Sequence, residues 1–457
     1  MGGVLFTVAI LLVVLGFLVF IHELGHYWAA KAFGVWVHRF AVGMGSPVKR
    51  LSFQRGETEW AIAWLPLGGY VKMASREEDP ASGVLEGGAE NAVVPPDRVF
   101  EAKPVWQRMV IILAGVTVNL IFAWLVFVGL AWKNGRTYDP TTTLGRISAA
   151  VLPAEASGLL DVPRGSRIVS IDGRKVESWT DVQSFIGNGR GDTITFAFDT
   201  HSDVKVALHP DQLVERSMLA VALEPLHRAV IGEVVSGSAA DSGGLEPGDT
   251  VLAVNGSAVE WWSDLTAVVE PSAGQDLALS IKRGDEMVDL VVTPRAEHAT
   301  PGDSSTAMVG RIGVRNQPPF ISESYSLGGA IAAGTGATWN AAGTIVRTVR
   351  GLLTRRIASN QVGGPILIGQ MAADSARLGI DALLAFMALI SVNLAVVNLL
   401  PIPVLDGGAF LILAVEAVIR RPLPVRLREV IQVIGLLMVV ALMVLAFSND
   451  IRRLLGM

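Results

Sequence analysis

The chain has 457 residues, of which 51% are apolar and only 17% charged, and its mean hydropathy is +0.47. This composition is too apolar for an average soluble protein, and the length exceeds one ordinary domain, so membrane spans and several folding units are expected. The net charge of −5 gives no basic excess and argues against a nucleic-acid partner. The absence of cysteine excludes disulfides and thiolate metal ligands, and it leaves the redox compartment open.

Four apolar segments approach the roughly 20 residues that a helix needs to cross a bilayer. The first is unbroken from Val4 to Ile21 and continues to about Phe33. A cleaved signal peptide is the alternative for this segment, but no Lys or Arg precedes it and no clear small-residue cleavage site follows. The pattern predicts a polytopic α-helical membrane protein with four transmembrane helices. The other three segments run from Val105 to Trp132, from about Leu383 to Leu400, and from Val430 to Phe447.

Basic residues in the short loops predict the orientation, because cytoplasmic loops are enriched in Lys and Arg. Eight basic residues lie between the first two spans and four between the last two, whereas only Arg452 and Arg453 argue for the opposite orientation. Both loops are therefore expected in the cytoplasm, with the N-terminus and the segment after Trp132 outside it. The basic residues are Arg39, Lys49, Arg50, Arg55, Lys72, Arg76, Arg98 and Lys103 in the first loop, and Arg420, Arg421, Arg426 and Arg428 in the second.

The HELGH sequence, His22 to His26, directly follows the apolar run of the first span. Imidazoles four residues apart lie on one helical face and can bind one Zn²⁺, while Glu23 is rotated by one residue step and can act as a general base. Chance is the alternative, but five specified letters rarely arise by chance in a chain with seven histidines. Ionisable groups at mid-bilayer cost at least roughly 2.5 to 3.5 kcal/mol each, and a bound metal offsets that cost.

The loop after the first span contains short alternating runs, Trp60 to Trp64 and Tyr70 to Met73. The stretch Gly69 to Met73 can pair with a substrate backbone as an added strand. Such pairing satisfies backbone groups that are exposed when a substrate helix unwinds in lipid. An interfacial anchor rich in tryptophan is an equally good alternative.

The segment after the second span contains an internal repeat. GSRIVSIDGRKVESWTD begins at Gly165 and GDTVLAVNGSAVEWWSD begins at Gly248, an offset of 248 − 165 = 83 residues. Each copy has an alternating apolar run that ends in Asp-Gly or Asn-Gly, which predicts a strand, a tight turn and then a helix. We predict two tandem α+β modules that resemble PDZ domains, which bind chain ends or strands by β-addition. The alternative is that they only fill space above the membrane.

A third zinc ligand is expected, because catalytic zinc sites use three protein ligands and leave one position open. Asp406 follows the third apolar run in NLLPIPVLDGG, where Pro401 and Pro403 forbid a regular helix and two glycines permit close backbone approach. Broken backbone at membrane depth requires protein or a water-filled cavity around it, so Asp406 can meet a metal there. The alternative is that Asp406 is a solvated residue in an interfacial turn. Glu416 is the only other nearby acid that could be the ligand. The remaining histidines are assigned to loops or modules: His38, His201, His209, His227 and His298.

These motifs, in this order along nearly the whole chain, resemble the bacterial regulator-of-sigma-E proteases of the site-2 family. The resemblance also includes GMG from Gly43, PLGGYVKM from Pro66 and GGP from Gly363. It implies one Zn²⁺ held by His22, His26 and Asp406, with Glu23 as the base. Where the family often has proline after Ala-Gly, this chain has Val116, which leaves the local helix shape open but not the chemistry. The resemblance implies substrate contacts from Gly43, Gly45, Tyr70, Val71, Lys72, Met73, Asn398, Pro401 and Pro403.

The activity that the resemblance implies is regulated intramembrane proteolysis by a zinc metalloendopeptidase in the bacterial inner membrane. Its substrates would be single-span proteins, such as an anti-sigma factor trimmed first by an upstream site-1 protease during envelope stress, and remnants of signal peptides. The modules would be periplasmic and the β-rich loop would lie on the cytoplasmic side. The predicted division is 1–33 and 104–132 for the first two spans, 34–103 for a β-rich re-entrant loop, 133–224 and 225–320 for the modules, 321–375 for an amphipathic helical linker, 376–419 for the third span with its broken segment, and 420–457 for a basic loop and the fourth span.

Three other classes are less consistent with the sequence. A membrane-anchored protease with soluble substrates would carry HExxH in its aqueous domain. A zinc transporter would carry several polar residues along more than one span, whereas the second and fourth spans offer little beyond Asn119 and Gln432. A catalytically silent scaffold would tolerate loss of Glu23. The conjunction of motifs favours the protease.

Overall fold

The computed structural model describes residues 2–75, 93–298, 307–354, 356–357, 363–421 and 423–455, so Arg76, one of the basic residues used to predict the orientation, lies outside it. The chain forms two compact units, Met1–Gly135 with Ser324–Met457, and Arg136–Glu323. The helices are α1 (Gly2–Ala32), α2 (Val105–Asn134), α3 (Trp179–Asn188), α4 (Leu213–Ala222), α5 (Ala239–Ser242), α6 (Trp262–Val269), α7 (Leu327–Leu353), α8 (Pro365–Leu378), α9 (Ile380–Asn398), α10 (Asp406–Ile419) and α11 (Val425–Leu454).

Strands occur in both units. In the first unit a long antiparallel pair follows α1, and in the second unit short strands form small sheets. The strands are β1 (Val37–Arg55), β2 (Thr58–Met73), β3 (Arg136–Tyr138), β4 (Leu144–Ile147), β5 (Ile168–Ile171), β6 (Arg174–Lys175), β7 (Ile194–Phe198), β8 (Val204–Val206), β9 (Leu223–Pro225), β10 (Ile231–Val234), β11 (Thr250–Val254), β12 (Ser257–Ala258), β13 (Leu277–Arg283), β14 (Glu286–Val292), β15 (Arg295–His298), β16 (Met308–Arg311), β17 (Val314–Asn316) and β18 (Ile321–Glu323).

Four of the described helices are long and apolar enough to cross a membrane: Gly3–Ala32 within α1, all of α2, all of α9, and Arg426–Arg453 within α11. They coincide with the four predicted spans, so the prediction of a polytopic membrane protein is confirmed at this level. Many large apolar side chains on α1 and α11 are exposed, among them Val4, Leu5, Val433 and Leu437. Large exposed apolar side chains suit a lipid environment, because their exposure to water would be unfavourable.

Helices α1 and α2 cross at two glycines. A Cβ atom on Gly25 would lie 2.5 Å from the carbonyl oxygen of Ala114, and Gly115 faces the imidazoles of His22 and His26. Small residues at such a crossing let two backbones approach closely in a membrane. At Val116, the position of the departure from the family pattern, α2 is buried and continuously helical.

Helix α7 lies within the segment 321–375, which is predicted as an amphipathic helical linker. It packs along α2, where a Cβ atom on Gly334 would lie 2.5 Å from a methyl group of Val128. The indole nitrogen of Trp124 donates a hydrogen bond to the hydroxyl of Thr335, with 2.9 Å between the two atoms. Apolar residues of α7 also join a cluster with α2 and α9, so this helix takes part in the packing of the first unit.

The second unit contains two four-stranded sheets of the same topology, β6-β5-β7-β8 and β12-β11-β13-β14. The predicted tight turns are confirmed: Asp172 and Gly173 in one copy, and Asn255 and Gly256 in the other, have positive φ angles between 50° and 77°. A two-residue hairpin of the primed type requires this conformation. Each sheet packs its helix, α3 or α6, on a separate apolar core.

A buried hydrogen bond joins the two copies. The side chains of Asp139 and His227 lie 2.6 Å apart and are both buried. Their backbone carbonyls occupy matching positions, since Asp139 accepts from the amide of Trp179 and His227 accepts from that of Trp262. Burial acts to raise the pKa of Asp139, but the hydrogen bonds from His227 and Thr141 together outweigh it and hold that pKa below its usual value. The resulting stability is complete above the unfolded pKa of about 3.9 and is lost as the pH falls through the lower folded pKa.

The two copies differ beside their helices. In the first, α4 packs against α3 and is anchored by Arg216, a fully buried side chain whose guanidinium donates to five backbone carbonyls. In the second copy, α6 and the backbone from Gly310 to Asn316 line an open groove of about 350 Å³. The groove beside α6 is therefore available to a ligand.

Candidate metal centre

The side chains of His22, Glu23 and His26 are buried on α1, each less than one-tenth exposed. Helix α2 covers the imidazoles through Gly115, and the strand end at Gly69 lies against Glu23, where a Cβ atom would be 2.9 Å from the Cγ of Glu23. The two neighbours have no side chains at these points, so the backbone can approach the site closely.

Three predicted ligands converge. The Nε2 atoms of His22 and His26 lie 3.2 Å apart, Asp406 Oδ2 lies 3.2 Å from His22 Nε2, and Asp406 Oδ1 lies 3.6 Å from His26 Nε2. Zinc bonds to nitrogen and oxygen of about 2.0–2.2 Å in a tetrahedron separate the ligand atoms by about 3.4 Å. The observed separations fit that geometry. In the part of the chain that the structure describes, His22, His26 and Asp406 form the cluster of histidine and acidic side chains that could hold a metal ion.

Hydrogen bonds around the site favour a cation. His26 Nδ1 lies 2.9 Å from the carbonyl oxygen of Ile111, which can only accept, so Nδ1 carries a proton and a neutral His26 has its lone pair on Nε2. Asp406 Oδ2 is buried and has no hydrogen-bond donor among the described residues. Lone pairs of nitrogen and oxygen thus face one another in a buried space, an arrangement that a divalent cation stabilises.

A strained turn positions Asp406. The helix α9 ends at Asn398, and α10 begins at Asp406 itself. Between them Val404 has a φ angle of +88°, which is rare for a β-branched residue and strained. The next two glycines approach the turn so closely that a Cβ atom on either would lie 2.3 Å from a backbone carbonyl oxygen. The turn therefore fixes the carboxylate beside the histidines, and the alternative of a solvated Asp is not supported.

Glu416, the nearby acid considered as an alternative ligand, lies elsewhere. It is buried near the guanidinium groups of Arg108 and Arg428, at 4.0 and 3.6 Å, and it accepts a hydrogen bond from the amide of Leu423. Its charge is already balanced there, so it has a structural role at the end of α10.

The predicted substrate residues of the NLLPIP segment lie at different distances from the metal centre. Asn398 Nδ2 is 3.3 Å from His22 Nε2, so its amide reaches the ligand cluster. Pro403 packs on α11, where a Cβ atom on Gly435 would lie 2.1 Å from its carbonyl oxygen. Pro401 is exposed in the turn. Among these three residues, Asn398 is the one whose described hydrogen bonds include a predicted zinc ligand.

The β-rich loop forms a sheet by folding each long strand back on itself. The segment 37–42 of β1 pairs with 69–73 of β2 on one side and with 59–62 on the other. Gly69–Met73 is therefore an edge strand, and its first residue is the one beside Glu23. Gly43 and Gly45 have positive φ angles where β1 bends, and the Tyr70 hydroxyl donates to the carbonyl oxygen of Gly45. These two glycines allow β1 to bend. The hydrogen bond from Tyr70 connects Gly45 to the edge strand, whose first residue lies beside Glu23.

The sequence did not assign Gly115 or Asn119 to the site, and it placed Gly69 only in the stretch expected to pair with substrate. Gly115 and Gly69 give the close approaches already described, and Asn119 places its amide 3.2 Å from Nδ1 of His22. The polar character of Asn119 within an apolar span was the available signal, since such residues are expensive in lipid and tend to be functional. The contact itself depends on how α2 is rotated against α1, which the sequence does not specify.

The chain is similar to known proteases along nearly its whole length. The family model for peptidase family M50 matches residues 10–442. The regulator of sigma-E protease of Escherichia coli is 34% identical over 98% of this chain and 99% of its own length. A protease of the same type from Yersinia pestis is 32% identical over 99% of this chain and all of its own length. A Vibrio cholerae protein whose name describes a zinc metalloprotease is 29% identical over 99% of this chain.

Proposed function

Because the chain belongs to peptidase family M50 and is a site-2 intramembrane zinc metalloprotease, we propose that His22, His26 and Asp406 hold its zinc and that Glu23 is its general base. The observation that carries this proposal is the convergence of the three ligand groups within 4.8 Å of one another. The physiological role that we propose follows the relatives: cleavage of a single-span membrane protein in a sigma-E-type stress pathway of the inner membrane.

The chain's own groups divide the chemistry of peptide hydrolysis. Zinc, when bound, acidifies a water molecule and polarises the scissile carbonyl. Glu23 is buried beside the two histidines, where its carboxylate would take the proton of the attacking water and deliver it to the departing amine. Asn398, whose amide nitrogen lies 3.3 Å from His22 Nε2, would be close enough to donate to the oxygen of the scissile carbonyl. Asp406 fixes geometry and balances the charge of the centre.

The edge strand Gly69–Met73 offers a solution to substrate unwinding. A helical substrate must expose its backbone to be cut, and unsatisfied backbone groups in lipid cost several kcal/mol each. A substrate segment paired with this edge as an added strand recovers those hydrogen bonds. Its start at Gly69, against Glu23, supports delivery of the scissile bond to the base. The alternative to strand addition is that the loop only anchors the protein at the membrane interface through its tryptophans.

Photo-crosslinking tests this path. A photoreactive residue placed at Lys72 on this edge, in a Glu23→Gln background, is expected to capture a single-span reporter. The matched position is Phe53, an exposed residue on the opposite edge of the sheet, and it is expected to capture far less. Equal capture at the two positions would support the anchor and reject strand addition.

The two modules of the second unit act, in this proposal, as periplasmic PDZ-like filters. The support is the shared topology of the copies and the open groove of about 350 Å³ beside α6 in the second. A new chain end left by an upstream site-1 protease would occupy that groove by β-addition. The basic residues of the two short loops support a cytoplasmic location for these loops and for the β-rich sheet.

Two reporters test the proposed function together. Each carries the same single apolar span, one with a folded outer domain and the other with that domain trimmed to a short tail. We expect the full-length protease in proteoliposomes to cut the trimmed reporter within its span, as mapped by mass spectrometry, and to leave the longer one intact. Cleavage only outside the span would contradict the intramembrane assignment. Equal cleavage of both reporters within the span would contradict the filter role of the modules but not the intramembrane assignment.

A further inference from the structure

We infer that Asn119 is a positioning residue for the zinc site, which holds the imidazole of His22 in the tautomer that leaves Nε2 free for the metal. This inference rests on the proposed zinc site. Its amide is fully buried in the middle of α2, with the nitrogen 3.2 Å from His22 Nδ1. Few residues of this span are polar, so the amide requires a reason to be there.

The reasoning starts from the hydrogen of the imidazole ring. A neutral histidine that binds a metal through Nε2 carries its proton on Nδ1, and that N–H needs an acceptor. His26 has one in the carbonyl oxygen of Ile111. For His22, the polar group that the described part of the chain places within hydrogen-bond distance of Nδ1 is the amide of Asn119.

The orientation of that amide decides whether it can serve. As placed, its nitrogen faces His22 Nδ1, and its oxygen has no partner among the described residues. Oxygen and nitrogen of an amide exchange places by a rotation of 180°, and their assignment follows the protonation of the neighbour. With the proton on Nδ1, the oxygen turns to accept it. The rotation places the amide nitrogen where the oxygen had no partner, so it brings no gain on that side. The hydrogen bond from the protonated Nδ1 to the amide oxygen is what favours the rotated orientation.

The backbone behind Asn119 is also held. The Ser391 hydroxyl of α9, itself fully buried, donates to the carbonyl oxygen of Asn119 with 2.9 Å between the atoms. This bond ties α2 to α9 at the level of the metal centre. It reaches the backbone only, so Ser391 supplies a matched control for loss of a buried hydrogen bond at the same residue.

The test measures zinc affinity, which is independent of cleavage. Full-length protein in detergent micelles is titrated against a chromogenic chelator, and the Co²⁺-loaded form is followed by its visible absorption. We expect Asn119→Leu to bind zinc roughly 10- to 100-fold more weakly, as for loss of other partners of a ligating histidine. Asn119→Asp, which offers an oxygen of the same reach, is expected to restore most of the affinity and the Co²⁺ spectrum. Ser391→Ala is expected to stay close to wild type.

Two results would overturn the inference: wild-type zinc affinity in the leucine variant, or an aspartate variant as weak as the leucine one. Thermal unfolding and gel filtration establish that each variant folds, and Asn119→Ala replaces the leucine variant if that protein does not. Absence of zinc from the wild-type protein would instead refute the proposed zinc site itself, together with this inference.

Discussion

Glu23→Gln is expected to lower cleavage of a single-span reporter by roughly 10²- to 10⁴-fold, the usual contribution of a positioned general base. Glutamine keeps the size of the side chain but cannot accept a proton at neutral pH. Because Glu23 is outside the group of three convergent ligands, the variant should retain its zinc. The measurement is single-turnover cleavage in proteoliposomes, with zinc content determined on the same sample.

The matched control for Glu23→Gln is Glu59→Gln, an acid of the neighbouring sheet that pairs with Arg39. Its activity is expected to stay near that of the wild type. Substantial cleavage by a zinc-loaded Glu23→Gln protein would show that another group accepts the proton.

Gly115→Ala is expected to abolish zinc binding, with affinity lowered at least roughly 100-fold, beyond the loss of a single supporting hydrogen bond. The added Cβ would lie 2.4 Å from Nε2 of His26 and 2.8 Å from Cε1 of His22. His26 cannot move away freely, because its Nδ1 is bound to the Ile111 carbonyl and Gly25 closes the crossing of α1 with α2. Chelator competition measures the loss.

Gly129→Ala is the control on the same helix, since a Cβ there would meet nothing within 4 Å. In a helix interior this change stabilises by about 1 kcal/mol. The control variant is therefore expected to bind zinc normally and to unfold at the same or a higher temperature. Normal zinc binding by Gly115→Ala would mean that the helices separate at this crossing and that the site is not rigidly packed.

The metal centre was largely predictable because its chemistry is local in sequence. HELGH places the two proposed histidine ligands and the proposed base by helical spacing, and the DGG following two prolines marks a carboxylate at broken backbone. The four spans follow from hydropathy alone, since their apolar runs approach the thickness of a bilayer. The long separation between His26 and Asp406 did not matter, because few other acids lie near an apolar span.

Other parts of the site depend on packing that the sequence does not encode locally. The proximity of Gly69 to Glu23 follows from the register of β1 with β2, which shifts where Gly43 and Gly45 bend the strand. The contact of Asn119 with His22 follows from the rotation of one helix against another. The difference between the two modules arises at α4, outside the repeated stretch, so comparison of the copies could not show it.

The central claim is that one zinc ion is bound by two imidazoles and the Asp406 carboxylate. Zinc X-ray absorption of the full-length protein, wild type against Asp406→Ala, tests it most directly. The wild type is expected to contain one zinc with two nitrogen ligands and an oxygen shell at about 2.0–2.2 Å, and the variant to lose most of its zinc. A wild-type protein without zinc, or a variant with the same zinc content and ligand shell, would contradict the claim.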